Sequence, residues 1–225
     1  MRLLAFFAVL VFASTANAQS YPDRPVRLIV GFPPGGSSDT VARVVGQSLS
    51  PLLGQPVVVE NKPGAGGVIG SDLVAKAAPD GYTLLLATAG HSTAAAMMAK
   101  LPFDAVRDFA WITTVTTYPF VIATAAESPI RSLEDMVARA KAAPGKLSYS
   151  SAGVGTSHHL LGEWLAAEAG IEMLHVPFKG GTSPVTEVVA GRVDVMFETM
   201  TLVLPHIKSG RLRALAVTSP EPKDY

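Results

Sequence analysis

The chain has 225 residues, with 18 Lys and Arg against 18 Asp and Glu, 48% apolar residues and no Cys. A balanced charge without a basic stripe excludes nucleic acid as a partner, and the missing Cys excludes disulfides and thiolate metal sites. The length is enough for one large domain or two small ones with buried cores.

At the start, Arg2 precedes an apolar run from Leu3 to Ala13, followed by Ser14-Thr15-Ala16-Asn17-Ala18. A positive n-region, a short h-region and an Ala-x-Ala site predict a secretory signal peptide over residues 1–18. The run of 11 apolar residues is short for a membrane anchor, since a spanning helix needs about 20. No Cys follows the cleavage site to carry a lipid. The expected mature chain begins at Gln19, is soluble, and keeps 17 basic and 18 acidic residues among 207. Cytoplasmic recycling cofactors would be scarce there, and no cofactor is expected.

Beyond the signal, strand, Gly/Pro-rich turn and helix alternate. Val26 to Val30 reads as a strand, ended by Gly31-Phe32-Pro33-Pro34-Gly35-Gly36. After Ser37-Ser38-Asp39, Val41, Val44, Val45 and Leu49 recur at helical spacing, and Gly54 closes that helix. Val57 to Val59 is a second strand before a glycine-rich segment, Asn61 to Gly70. A helix with Leu73, Val74 and Ala77 stops at Pro79-Asp80-Gly81. Thr83 to Thr88 is a third strand, and Ala89 to Ser92 opens another helix.

Leu101-Pro102-Phe103-Asp104 breaks this rhythm. Two β-branched runs follow, Ile112 to Thr117 and Phe120 to Thr124, as a crossover into a second lobe. Helices are then expected over Leu133 to Ala142, His158 to Ala169, Pro184 to Ala190 and Leu204 to Lys208. They alternate with strands Leu147 to Ser150, Met173 to Val176, Val193 to Phe197 and Leu212 to Val217. This spacing argues parallel α/β sheets with right-handed crossovers.

In open α/β sheets, ligands bind beyond the carboxyl ends of strands. Four loops there are rich in Gly, Ser and Thr: Phe32 to Asp39, Ala89 to Ser92, Ser151 to His158 and Phe178 to Ser183. Glycines admit a ligand close to backbone N–H groups, and helix N-termini favour anions. Any one such loop is an ordinary helix cap; four on one sheet edge point to an anion site. Asp39 reads as a cap or as an acceptor for a ligand donor. Phe32 and Phe178 read as pocket walls or core. Glu198 reads as a pocket residue or a solvated strand end. His91, His158 and His159 lack a carboxylate at zinc-ligand spacing, so no metal site is expected.

Enzyme signatures fail. No P-loop is present, Ala65-Gly66-Gly67-Val68-Ile69-Gly70 lacks the first glycine of a dinucleotide fingerprint, and no Gly-x-Ser-x-Gly elbow exists. The residual enzyme reading is an exported hydrolase using Ser157 with a nearby His and an unidentified acid.

Several motifs together resemble one family. They are Phe32-Pro33-Pro34-Gly35-Gly36 with Asp39 and Ala42-Arg43, Glu60-Asn61-Lys62-Pro63-Gly64-Ala65-Gly66-Gly67, and Pro79-Asp80-Gly81-Tyr82-Thr83. Later come Pro144-Gly145-Lys146-Leu147, Ser151-Ala152-Gly153-Val154-Gly155 and Val176-Pro177-Phe178-Lys179-Gly180. Pro205-His206-Ile207-Lys208-Ser209-Gly210 and Leu212-Arg213-Ala214-Leu215-Ala216-Val217-Thr218 complete the set. From about Tyr21 to its last residue the chain is similar to the Bug (TctC-like) solute receptors of tripartite tricarboxylate transporters.

The resemblance implies a two-lobed α/β periplasmic binding protein of the Venus-flytrap, type II-like class. It implies a first lobe over residues 19–104, a second over 105–225, and a cleft between them. The implied ligands are small carboxylates, held by backbone amides and hydroxyls and partly through water. By position, the implied ligand-binding residues are Phe32, Gly35, Gly36, Ser37, Ser38, Asp39, His91 and Ser92. Gly155, Thr156, Ser157, His158 and Phe178 come from the second lobe. The implied partners are a large and a small membrane permease subunit, with the receptor itself a monomer. A receptor that presents its ligand-bound form to a membrane kinase would share the same cleft.

Two departures from the family pattern stand out. Glu198-Thr199 replaces the usual Asp-Asn after Met196-Phe197. Relatives also continue past the position of Tyr225 through a segment returning to the first lobe. The expectation is a truncated, incomplete first lobe, with apolar surface unprotected on Val26 to Val30, Val57 to Val59 and Leu84 to Leu86.

Overall fold

The computed structural model describes residues 21–219; the expected signal peptide over 1–18 lies outside them. Three strands, β1 (Val26–Val30), β2 (Val57–Asn61) and β3 (Thr83–Leu86), form a parallel sheet in the order β2-β1-β3. Helix α1 (Ser37–Leu53) packs on β1 and β2, and α2 (Val68–Ala75) on β1 and β3. β1 is apolar at four of its five positions because it is covered on both faces and paired on both edges. Leu28 and Val30 pack with Ala42 of α1 and with Leu86, and Ile29, directed to the opposite face, is also fully buried. The expected exposure of Val26 to Val30 is therefore corrected: α1 and α2 shield β1 on their own. The flanking strands keep Val57, Val59, Leu84 and Leu85 half-buried, and Val58 is exposed.

Helix α3 (Ala89–Met97) follows β3, and the chain then crosses over. The expected strand at Ile112 to Thr117 does not form. That stretch has no regular structure, with Ile112 and Val115 exposed. β-branched residues favour a strand only where neighbouring strands and a packed face receive them, and this crossover has neither.

The second sheet has the order β6-β5-β7-β4-β8. Its strands are β4 (Phe120–Ala125), β5 (Ser148–Ser151), β6 (Leu174–Pro177), β7 (Val195–Thr199) and β8 (Leu212–Val217). β5 pairs in parallel with β6 and β7, but β4 runs antiparallel to both β7 and β8. The expected all-parallel arrangement thus holds for the first sheet only. The reason is the crossover: Phe120 pairs with Thr199, so the chain enters the sheet at the edge where β7 ends and must run away from it.

Both faces of this sheet are covered. Helices α4 (Leu133–Ala142) and α5 (Ser157–Ala169) pack over Ile122, Tyr149, Val195 and Phe197. Helices α6 (Ser183–Val189) and α7 (Met200–Lys208) pack over Val121, Ala123 and Met196. The alternation of Val121 and Ala123 with Ile122, and of Val195 and Phe197 with Met196, is the period of two expected of a strand buried on both sides.

Tyr149 is the largest fully buried side chain and sets how closely α5 approaches the sheet. Its hydroxyl donates to Glu163 Oε1 at 2.6 Å, and its ring stacks on His175 and meets Phe197 edge-on. Burial, then this bond, push the phenol pKa well up. A Cβ at Gly162 would strike the Tyr149 ring. Alanine adds about 1 kcal/mol of helix propensity over glycine, whereas forcing a methyl into a packed site costs about 1–3 kcal/mol. With the ring held on three sides, the clash wins. Gly162→Ala should lower stability in urea unfolding by about 1–2 kcal/mol.

Candidate functional site

β1, β3, β5, β6 and β7 direct their carboxyl ends at one cleft, and the residues at or just beyond those ends line it. Phe32, Gly36, Ser37 and Ser38 follow β1; Thr88, Ala89 and Gly90 follow β3. Across the cleft stand Ala152, Thr156, Ser157 and His158 after β5, Gly180 and Gly181 after β6, and Glu198 and Thr199 of β7. Leu202 comes from α7. Tyr118 and Phe120 come from the crossover, because β4 starts at this edge.

Helices α1, α3 and α5 begin at this cleft, and the first N–H groups of a helix have no acceptor within it. α1 starts at Gly36 and α5 at Thr156, and neither receives a side-chain cap. Thr156 turns its hydroxyl away, donating to Gly153 O at 2.6 Å. α3 is capped by Thr88 Oγ1, which accepts from Gly90 N–H at 3.3 Å. Convergent amides with the positive ends of helix dipoles favour an anion. Among the described residues that line the cleft there is no Lys or Arg.

The two walls touch. Thr93 Oγ1 donates to Gly155 O at 2.6 Å, and Thr199 Oγ1 lies 2.9 Å from Ser37 Oγ. A Cβ on Gly36 would lie 3.3 Å from Gly181 Cα, and one on Gly180 would lie 3.1 Å from the Phe32 ring. Glycines at this rim let the backbones approach closely.

Of the residues expected from the sequence, the structure brings Phe32, Gly36, Ser37, Ser38, Thr156, Ser157 and His158 to the cleft lining. The others stand elsewhere. Asp39 is buried behind the first loop and accepts from Arg43 Nε and Nη2, from Gly35 N–H at 3.0 Å and from Asn61 Nδ2 at 3.0 Å. It shapes the loop and has no acceptor site left for a ligand donor. Gly35 is exposed, with φ +80°, in the turn that Asp39 holds. His91 is buried against Phe103 and Phe109, with Ser71 Oγ on Nδ1 at 3.0 Å and Ala105 O on Nε2 at 2.8 Å. Ser92 is exposed beside it. Gly155 spends its carbonyl on Thr93, and Phe178 packs into the second-lobe core with Val185 and Val188.

Ala89, Gly90, Gly180 and Gly181 lie in two of the four loops expected at the sheet edge, though outside the ligand-binding set that the resemblance implies. Thr88, Thr199 and Leu202 lie outside both, and Glu198 proves to be a pocket residue and not a solvated strand end. Tyr118 and Phe120 carried no usable signal, since their position follows from the direction of β4. Burial, then the nearby Glu198 charge, raise the Tyr118 pKa. Ser157 makes no hydrogen bond to a histidine among the described residues. The serine–histidine contacts are Ser71 with His91 and Ser151 with His175, and none of these four lines the cleft.

Burial acts to raise the Asp39 pKa, but the bonds from Arg43, Gly35 and Asn61 outweigh it and hold it below the ordinary 3.8. Its ionised form therefore stabilises the fold above pH 3.8, and that contribution is lost as pH falls through the depressed value. Asp39→Asn should cost about 1–3 kcal/mol near pH 7. Chemical denaturation at decreasing pH should show the gap to the unsubstituted protein closing below 3.8, where Asp39 itself becomes neutral.

Residues 41–223 match the family described as tripartite tricarboxylate transporter family receptor. Protein BugT of Bordetella pertussis (strain Tohama I) is 41% identical over 226 residues, 98% of this chain and 69% of that protein. The structure of periplasmic binding protein BugD is 38% identical with a TM-score of 0.85, over 90% of this chain and 68% of that one. A structure from R. palustris with adipate is 31% identical with a TM-score of 0.86, over 89% of this chain and 68% of that one. The chain spans about two thirds of the length of the relatives it matches.

Proposed function

The chain belongs to the receptor family of tripartite tricarboxylate transporters, and from that premise we propose that it is a solute-binding receptor whose cleft captures a small organic carboxylate. The observation that carries this reading is the convergence of α1, α3 and α5 on a cleft without Lys or Arg. Such a site holds an anion through backbone N–H groups and hydroxyls. The R. palustris relative with adipate supports a carboxylate as that anion.

The receptor works outside the cytoplasmic membrane and delivers its ligand to membrane permease subunits. Export is supported by the leader pattern of residues 1–18 and by the periplasmic relative BugD. Among the described residues no helix is long and apolar enough to cross a membrane. The protein acts by binding alone, without a covalent step. Among the described residues Ser157 makes no hydrogen bond to a histidine, which argues against the hydrolase alternative.

A hydrogen bond to a charged partner contributes about 1.5–3 kcal/mol, which corresponds to a factor of ten or more in affinity. In calorimetric titration against a panel of aliphatic carboxylates, at least one acid should bind, and its methyl ester should bind at least tenfold more weakly. Equal affinity of acid and ester would remove the anion site from this account.

Ser157 opens α5 on the second wall. Ser157→Ala should weaken the same acid by about tenfold without lowering the melting temperature of the free protein. An unchanged affinity would place the carboxylate away from α5. Chromogenic esters should show no turnover in either form.

A further inference from the structure

Glu198 is the single carboxylate among the described residues lining the cleft, and no Lys or Arg accompanies it there. It is 2% exposed, which makes its environment decisive. Its Oε1 accepts from Thr199 N–H at 2.7 Å, and Thr199 Oγ1 and His158 Nε2 lie 3.1 and 3.2 Å from it. A backbone N–H, a hydroxyl and a ring nitrogen gathered at one oxygen suit an ionised carboxylate. Oε2 accepts from none of the described residues, and it is not sealed in, so it remains reachable from the cleft.

The cleft therefore carries two opposite demands. On one side the starts of α1 and α5 present unshared N–H groups that call for an acceptor. On the other, a nearly buried carboxylate oxygen calls for a donor, and a desolvated anion without a full set of donors is costly. The hydroxyls between them favour the same arrangement. Thr199 has one proton to give, and a carboxylate is the stronger acceptor. The Thr199 hydroxyl then serves Glu198, leaving Ser37 Oγ, 2.9 Å away, to donate to Thr199. Oε2 can only accept, so it cannot pair with a second ligand carboxylate. A dicarboxylate would set its far end against Glu198 with no Lys or Arg to offset the like charge.

We propose that Glu198 determines specificity by selecting a zwitterion: the ligand carboxylate lies at the starts of α1 and α5, and an ammonium group at its other end donates to Glu198 Oε2. The proposal rests on the carboxylate-receptor reading above and narrows its ligand class. An ammonium provides the donor that Oε2 lacks and neutralises the cleft in one contact, a charge-assisted bond of the stronger kind.

The test is a matched series titrated calorimetrically into the purified full chain near pH 7.5. The probes are 4-aminobutanoate, succinate and butanoate; 5-aminopentanoate, glutarate and pentanoate; and 6-aminohexanoate, adipate and hexanoate. At one chain length the amino acid should bind at least tenfold more tightly than both the diacid and the simple acid. In Glu198→Gln that preference should fall by about tenfold or reverse, because the new amide can donate to a second carboxylate and no longer attracts an ammonium. A diacid that binds the unsubstituted protein as tightly as its amino counterpart would overturn the proposal while leaving the carboxylate reading in place. An amino-acid preference unchanged in Glu198→Gln, with the variant's melting curve intact, would also overturn it. Binding by none of the nine probes would remove both together. The unsubstituted comparison needs no variant, so a misfolded Glu198→Gln would not shield the idea.

Discussion

Backbone N–H groups at the start of a helix need an acceptor, and this fold assembles several such starts at one place. In a parallel strand–helix unit the strand's carboxyl end and the next helix's amino end share a loop. Here β1, β3 and β5 each lead into a helix at the same cleft, so their dipoles add instead of cancelling. The loop composition follows from that demand. Gly36 and Thr156 begin helices without offering a side-chain cap, which leaves the amides for a ligand or water. Residues that would fill the site with their own charge are kept back: Asp39 is drawn behind the loop by Arg43, Gly35 and Asn61.

Glu198 is the exception to an otherwise cationic field of backbone dipoles. It stands immediately before α7, where a negative charge is favourable at a helix start, and Thr199 N–H donates to it at 2.7 Å. The same contact that stabilises α7 fixes Oε1 and leaves Oε2 toward the cleft. One carboxylate thus links the packing of the second lobe to the chemistry the cleft presents.

Contact between the lobes depends on small residues. Gly36 faces Gly181, and Gly180 faces the Phe32 ring, where a further side-chain carbon would sit only 3.3 and 3.1 Å from its neighbour. Hydroxyls bridge the same rim, Thr93 to Gly155 and Thr199 to Ser37. Narrow approach and short polar bridges keep the binding surface made of backbone, which offers little side-chain code for an acid; Glu198 is the departure from that rule.

Much was legible in the chain because it rests on local physics. The alternation of strands with helices, the glycine turns and the helix starts after Gly36 and, within one residue, at Ser157 all follow from spacing and backbone preference. So did the cleft residues that those starts carry, Gly36, Ser37, Ser38, Thr156, Ser157 and His158. What only tertiary structure decided were matters of direction and of neighbours. β4 reverses because the crossover delivers it to the cleft edge, which brings in Tyr118 and Phe120 from a stretch with no motif. Ile112 to Thr117 has a strand's composition but no partner strand. His91, in the first turn of α3, and Phe178, in the loop after β6, stand beside cleft residues, yet their side chains are taken by Phe103 and by the second-lobe core. Local sequence determines which backbone groups a segment will offer; which face those groups meet is set by packing between segments far apart in the chain, and no local pattern records it.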